Sequence, residues 1–238
     1  MKKAIFIWLL ILITGIHPVS GQELEYRMEL GGALGGSFYL GDLNNTPFRN
    51  LGGSGGIMAR YIFNPRMAIK GNLFLGHIKG DNQNVFIPED GYAPSTEGGT
   101  PATVTFTRNV FDLGAQFEFN FWGYGTGKSY KDNSRITPYM LLGAGLTFAP
   151  KPADIIVGFN IPIGVGVKYK LKERINIGFE WSIRFTTSDA LDTTDPEGAQ
   201  AIHPYGIPAK GLKNKDCYSM SLLYITYDLF PKYRLCNN

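Results

Sequence analysis

The sequence predicts an all-β protein: an eight-stranded antiparallel transmembrane β-barrel of the outer-membrane type, preceded by a cleavable signal peptide. Three observations predict it. First, residues 109–122 alternate strictly, with Phe111, Leu113, Ala115, Phe117, Phe119 and Phe121 set against Val110, Asp112, Gly114, Gln116, Glu118 and Asn120. A period of two sends successive side chains to opposite faces of a strand, and an aromatic face opposite an acid-bearing one suits lipid outside and a polar interior. Second, comparable stretches recur until eight are counted. Third, the connections after strands two and six are tight and those after one, three and seven are long. The four–five connection is intermediate and the five–six loop moderate, a pattern like the short periplasmic turns and longer outer loops of such barrels.

The start of the chain reads as an export signal over residues 1–21. Lys2 and Lys3 precede an apolar run from Ala4 to Ile13, and Val19, Ser20 and Gly21 offer a small-residue cleavage site. The apolar run is shorter than the ~20 residues a spanning helix needs, and no cysteine follows the cleavage site to take a lipid anchor. Residues 22–238 then form one barrel domain with a short periplasmic C-terminal tail. With no other segment able to span as a helix, insertion after export requires a closed barrel.

The strands follow in order. In residues 25–41, Tyr26, Met28, Leu30, Leu34 and Phe38 alternate with Glu25, Arg27, Glu29, Ala33 and Ser37. Residues 51–63 set Ile57, Ala59, Tyr61 and Phe63 against Ser54, Met58 and Arg60; Asn64-Pro65 then marks a tight turn. The third strand sets Met67, Ile69, Leu73 and Leu75 against Lys70, Asn72 and Phe74, and the polar, Gly- and Pro-rich residues 79–103 are a long loop. The aromatic stretch is the fourth strand, followed by a connection over 123–134. Strand five carries Met140, Leu142, Ala144, Leu146 and Phe148 on one face. Residues 157–171 oppose Phe159, Ile161, Ile163, Val165, Val167 and Tyr169 to Asn160, Gly164, Lys168 and Lys170. After a short turn at Lys172-Glu173, Ile175, Ile177, Phe179, Trp181, Ile183 and Phe185 oppose Asn176, Glu180, Arg184 and Thr186. A second long loop spans 189–216, and residues 217–230 complete the count with apolar residues on both faces. The even number of strands places both mature termini on the periplasmic side of an outer membrane.

Alternation alone does not say which set faces in. A lipocalin-like barrel would bury the aromatics, but the apolar set is too bulky for a lumen that side chains simply fill. With the apolar set toward lipid, Arg27, Glu29, Arg60, Lys70, Asp112, Glu118, Lys168, Glu180 and Arg184 form a luminal polar network. Buried charges must be paired or hydrated, and the near balance of sign predicts a plug of ion pairs rather than a pore.

The chemistry-bearing residues predict no catalytic, cofactor or metal site. Among three histidines, His17 lies in the export signal, His77 near the outer end of strand three and His203 in the last long loop; none has Asp or Ser at a spacing that would activate it. No phosphate loop precedes a helix, and no cluster has metal-ligand spacing. Asp189, Asp192 and Asp195 lack the Gly and closing Glu of a calcium loop. The net charge of +3 is too small to argue for a nucleic-acid partner, and no small-molecule substrate is implied. The two cysteines are expected to stay apart. Cys217 begins strand eight at one rim, the strand carries the chain ~43 Å to the other, and residues 231–236 can double back by at most ~20 Å.

Short motifs resemble one family. They are residues 35–44 (GGSFYLGDLN), residues 60–71 (RYIFNPRMAIKG), and Gly178-Phe179-Glu180 leading to residues 184–192 (RFTTSDALD). These resemble the PorG-like outer-membrane proteins of the type IX secretion system, although Ala190 stands where that family usually has Tyr and Thr193 where it has a second Asp. The resemblance implies a non-enzymatic barrel, embedded in outer-membrane lipids, that works with a periplasmic ring of PorK/PorN-like proteins in protein export. Lys232, Tyr233, Arg234 and Cys236 on the tail are the expected partner-binding residues. The alternative is a small sealed barrel that recognises surfaces or stabilises the membrane through its outer loops.

Overall fold

A computed structural model of the chain describes residues 26–41, 43–44, 46–81, 105–125, 133–150, 155–188, 191 and 215–231. The predicted signal segment, the tail residues Lys232, Tyr233, Arg234 and Cys236, His203 and most of both long loops lie outside them. Eight strands are present: β1 (Tyr26–Leu40), β2 (Gly52–Asn64), β3 (Met67–Asp81), β4 (Thr105–Asn120), β5 (Ile136–Ala149), β6 (Ile156–Lys172), β7 (Ile175–Thr186) and β8 (Cys217–Pro231). They pair antiparallel in chain order and close between β8 and β1. Among the described residues there is no helix.

The register sets the geometry of the wall. Stepping from Met28 to its paired residue on each successive strand gives Tyr61, Ile69, Phe117, Leu142, Ile163, Ile183 and Ser219, then β1 again at Phe38, ten residues beyond the start. For eight strands that offset corresponds to a tilt of about 40° and to an interior that side chains fill. The two ends differ. One, the turn end, holds the start of β1, the close of β8 and the two-residue turns at 65–66 and 173–174. The loop end is opposite.

The outward face is an apolar belt. On β4, Phe111, Leu113 and Phe117 are exposed, as is Phe121 just beyond it, and the belt from 111 to 121 matches the ~9–11 residues with which a tilted strand crosses a bilayer. Toward the loop end the pattern inverts. His77, Lys79, Thr105, Thr107 and Asn109 take the outward positions, while Ile78, Phe106 and Val110 are buried inside with Leu43, Ala149, Ile156 and Leu191. This inversion explains one departure from the sequence reading. Residues 79–81, expected in a loop, continue β3, and β4 starts at Thr105, because alternation persists with its polarity reversed where the wall leaves the apolar belt.

Two other expectations fail at strand ends. Arg27, expected in the lumen, is exposed, and its neighbour Tyr26 is buried instead. Across the seam on β8, Phe230 has φ 57°, a left-handed residue beside the point where strict alternation breaks. Phe38, expected to face lipid, is buried on that outer face under Phe48, with ring centroids 4.8 Å apart. The segment after β1 folds back over the wall to cover it, held to Asp81 by Arg49 at 2.9 Å and by Asn50 at 2.6 Å.

Candidate functional site

The lumen is the only built polar site among the described residues, and it forms because inward positions of distant strands carry opposite charges. Glu29, Arg60, Lys70, Asp112, Glu118, Lys168, Glu180 and Arg184 all lie inside and are buried. In the turn-end half, Glu118 of β4 gathers three cations: Arg60 Nε at 2.8 Å, Lys168 Nζ at 2.8 Å and Lys70 Nζ at 3.5 Å. Arg60 also pairs with Glu29, and Lys70 reaches across from β3 to Glu180 on β7. Hydroxyls also reach the carboxylates: Thr226 donates to Glu29 at 3.0 Å and Tyr139 to Glu180 at 2.8 Å. The cations also lie over aromatic faces, Lys168 over Tyr139 at 4.6 Å and Arg60 over Tyr224 at 5.4 Å.

A second group, nearer the loop end, centres on Asp112. Its Oδ2 accepts from Asn160 and Tyr218, each at 3.0 Å, and lies 3.1 Å from Arg184 Nε; its Oδ1 accepts from Asn72 at 2.5 Å. A third closes the turn end. Lys170 pairs with Asp228 at 2.5 Å, Asn176 donates to Asp228 at 2.6 Å, and Tyr124, from the segment joining β4 to β5, donates to Asn176 at 2.8 Å. Tyr124 lies outside the spanning strands, and its burial there pushes the phenol above its ordinary value.

Two inward glycines make room for the bulky members. A Cβ on Gly166 would stand 2.5 Å from the Tyr139 ring, and one on Gly178 would stand 2.4 Å from that of Tyr224. The sequence reading missed Lys170, Asp228, Tyr139, Tyr218 and Tyr224 as members. Lys170 sits in the polar set of strand six and had a signal; Asp228 had none, since β8 is apolar on both faces. The buried charges are ion-paired with one another across the interior, although Glu180 Oε1 and a terminal nitrogen of Arg184 find no hydrogen-bond partner among the described residues. His77, in contrast, is on the outer face with Nδ1 2.7 Å from Asn109 Oδ1, a hydrogen bond with no acid or nucleophile in it. Among the described residues no cluster of His, Cys, Asp and Glu is disposed to hold a metal ion.

A closed wall that is apolar outside across a bilayer's width, around a core of ion pairs, defines the class: an outer-membrane-type β-barrel with a filled lumen. The chain belongs to the family described as "Domain of unknown function (DUF6089)", whose model matches residues 3–238. No curated protein matches it. Several solved structures resemble it in fold. Neisserial surface protein A is 12% identical with a TM-score of 0.48, covering 85% of this chain and 97% of its own. The attachment invasion locus protein Ail of Yersinia pestis, in complex with the heparin analogue sucrose octasulfate, is 11% identical with a TM-score of 0.44, covering 87% and 100%. The N-terminal barrel domain of Pseudomonas aeruginosa OprF is 12% identical with a TM-score of 0.44, covering 86% and 98%. At these identities the likeness is one of fold alone.

Proposed function

We propose that the protein is a non-enzymatic outer-membrane component of the type IX secretion machinery, giving a periplasmic ring of PorK/PorN-like proteins its foothold in the membrane. In this reading the turn end and both mature termini face the periplasm, and the tail residues Lys232, Tyr233, Arg234 and Cys236 meet the ring. The observation that carries it is the filled lumen: a barrel whose interior is occupied by paired charge offers no path to a substrate or ion and serves as an anchor. The motifs at 35–44, 60–71 and 178–192 point the anchor toward secretion. Affinity purification of the tagged protein from native membranes tests it. Ring proteins should co-purify, and fewer should do so from a chain truncated after Pro231; recovery of the barrel alone would sink the proposal.

One observation favours a second reading, surface recognition through the outer loops. On β3 and β4 the loop-end stretch turns His77, Lys79, Thr105, Thr107 and Asn109 outward and buries Ile78, Phe106 and Val110, so this part of the wall reaches past the apolar belt toward the segments 82–104 and 192–214. If recognition is the role, deleting those segments abolishes the phenotype while protein secretion continues.

A further inference from the structure

The turn-end rim carries a charge asymmetry that the lumen does not use. Arg27, Arg66, Arg135, Lys172 and Arg174 are exposed there, against Glu173 as the single exposed acid among the described residues. They are distributed round the rim, at the start of β1, in the β2–β3 turn, before β5 and in the β6–β7 turn. None is ion-paired with a described residue, unlike the charges of the lumen. Just inside this ring lies a girdle of exposed Tyr61, Phe63, Phe121, Trp122, Tyr169, Tyr227 and Phe230, the residue types that settle at headgroup depth. The cations therefore stand where lipid phosphates lie.

Arg174 is built into position rather than left to wave. Its Nε donates to the Tyr26 hydroxyl and one terminal nitrogen donates to the Tyr227 hydroxyl, each at 3.3 Å, and its guanidinium lies 5.5 Å from the centre of the Tyr26 ring. Tyr26 is itself buried against the wall, so the clamp links β1, β8 and the β6–β7 turn. The two hydroxyl bonds raise the guanidinium above its usual range, and like any arginine it is cationic at working pH. A guanidinium has five N–H donors; those left over meet no acceptor among the described residues. A fixed fork of donors facing the headgroup layer matches a phosphate oxygen pair.

We propose that the turn-end rim is a docking surface for the headgroups of anionic phospholipids, with Arg174 as the fixed phosphate contact, Lys172 at the end of β6 just before it, and Arg27 next to the clamped Tyr26. This goes beyond the secretion reading and does not rest on it, since it requires only that the apolar belt lie in a bilayer. Its role is to fix the depth and tilt of the barrel from the turn end.

The test is native mass spectrometry of the full chain, released from neutral detergent with equimolar phosphatidylglycerol and phosphatidylcholine. The wild type should retain phosphatidylglycerol preferentially, and high salt should erase the preference. Arg174→Gln should lower it roughly fivefold, as should Lys172→Gln, the effect of one basic residue near an anionic surface. Lys79→Gln, at the loop end, should leave it intact. Heat-modifiable migration on gels verifies that each variant is a closed barrel, and Arg27→Gln supplies an independent rim substitution should Arg174→Gln fail to close. Equal retention of the two lipids, a preference that survives the combined loss of Arg174, Lys172 and Arg27, or one lost with Lys79→Gln would each overturn the proposal. So would a rim that ignores phosphatidylglycerol and captures an acidic protein instead.

Discussion

Phe117 and Glu118 are neighbours in sequence that lie in different solvents. Phe117 is exposed near the middle of the apolar belt, while Glu118 is buried among Arg60, Lys70 and Lys168. We expect Phe117→Arg to lower the yield of closed barrel, since Arg at mid-membrane on a barrel's outer face costs about 2–4 kcal/mol. Glu118→Gln removes the shared counter-charge of three buried cations, and breaking such a pair from one side costs about 3–5 kcal/mol. Urea titration of both variants in lipid vesicles checks this; wild-type midpoints for either would show that the residue is not where the fold puts it. Alternation made the solvent of each residue legible in the sequence, but not its partners. That Glu118 meets Lys168 depends on register summed over intervening strands, and no local pattern encodes that sum. Arg27 shows where even the face is lost: beside a left-handed residue across the seam, Phe230, Arg27 and Tyr26 exchange their expected positions.

At the scale of strands, β6 and β7 pair an inward glycine with an inward tyrosine from elsewhere in the wall. A side chain at Gly166 must displace the Tyr139 ring, which donates to Glu180, so Gly166→Leu is expected to destabilise the barrel by about 1–3 kcal/mol through overpacking. Gly53 has nothing within 4 Å of an added Cβ, and Gly53→Ala should leave the unfolding midpoint nearly unchanged. Comparable losses at both positions would remove the packing argument. The cysteines test the direction of β8. Cys217 sits at its loop-end terminus as a free thiol, 3.1 Å from the Leu40 carbonyl, and the tail bearing Cys236 leaves from the opposite end. We therefore expect no Cys217–Cys236 disulfide in the exported protein. Non-reducing peptide mapping decides, and a 217–236 linkage would contradict the order of the strands. The count and most bounds of the strands were readable because lipid enforces one polarity across the belt. The continuation of β3 and β4 past it was not, since a window tuned to apolar-outside reads the inverted stretch as loop.

For the whole molecule, the filled interior predicts electrical silence. Purified protein in a planar bilayer should show no steady single-channel current, and a persistent open level in the wild type would mean that the charge network leaves a continuous water path. The same network has a consequence for how the molecule comes to exist. Lys70 on β3 meets Glu180 on β7, and Arg184 on β7 meets Asp112 on β4; these strands are not neighbours in the sheet. Such pairs form only when the sheet has curled far enough to bring β3 and β4 across the lumen from β7. A half-assembled sheet would hold bare lysines, arginines and carboxylates against hydrocarbon, so partial insertion is penalised from within and the last seam, β8 to β1, rewards every earlier step at once. Assembly should then run nearly all-or-none, with intermediates kept in water until closure.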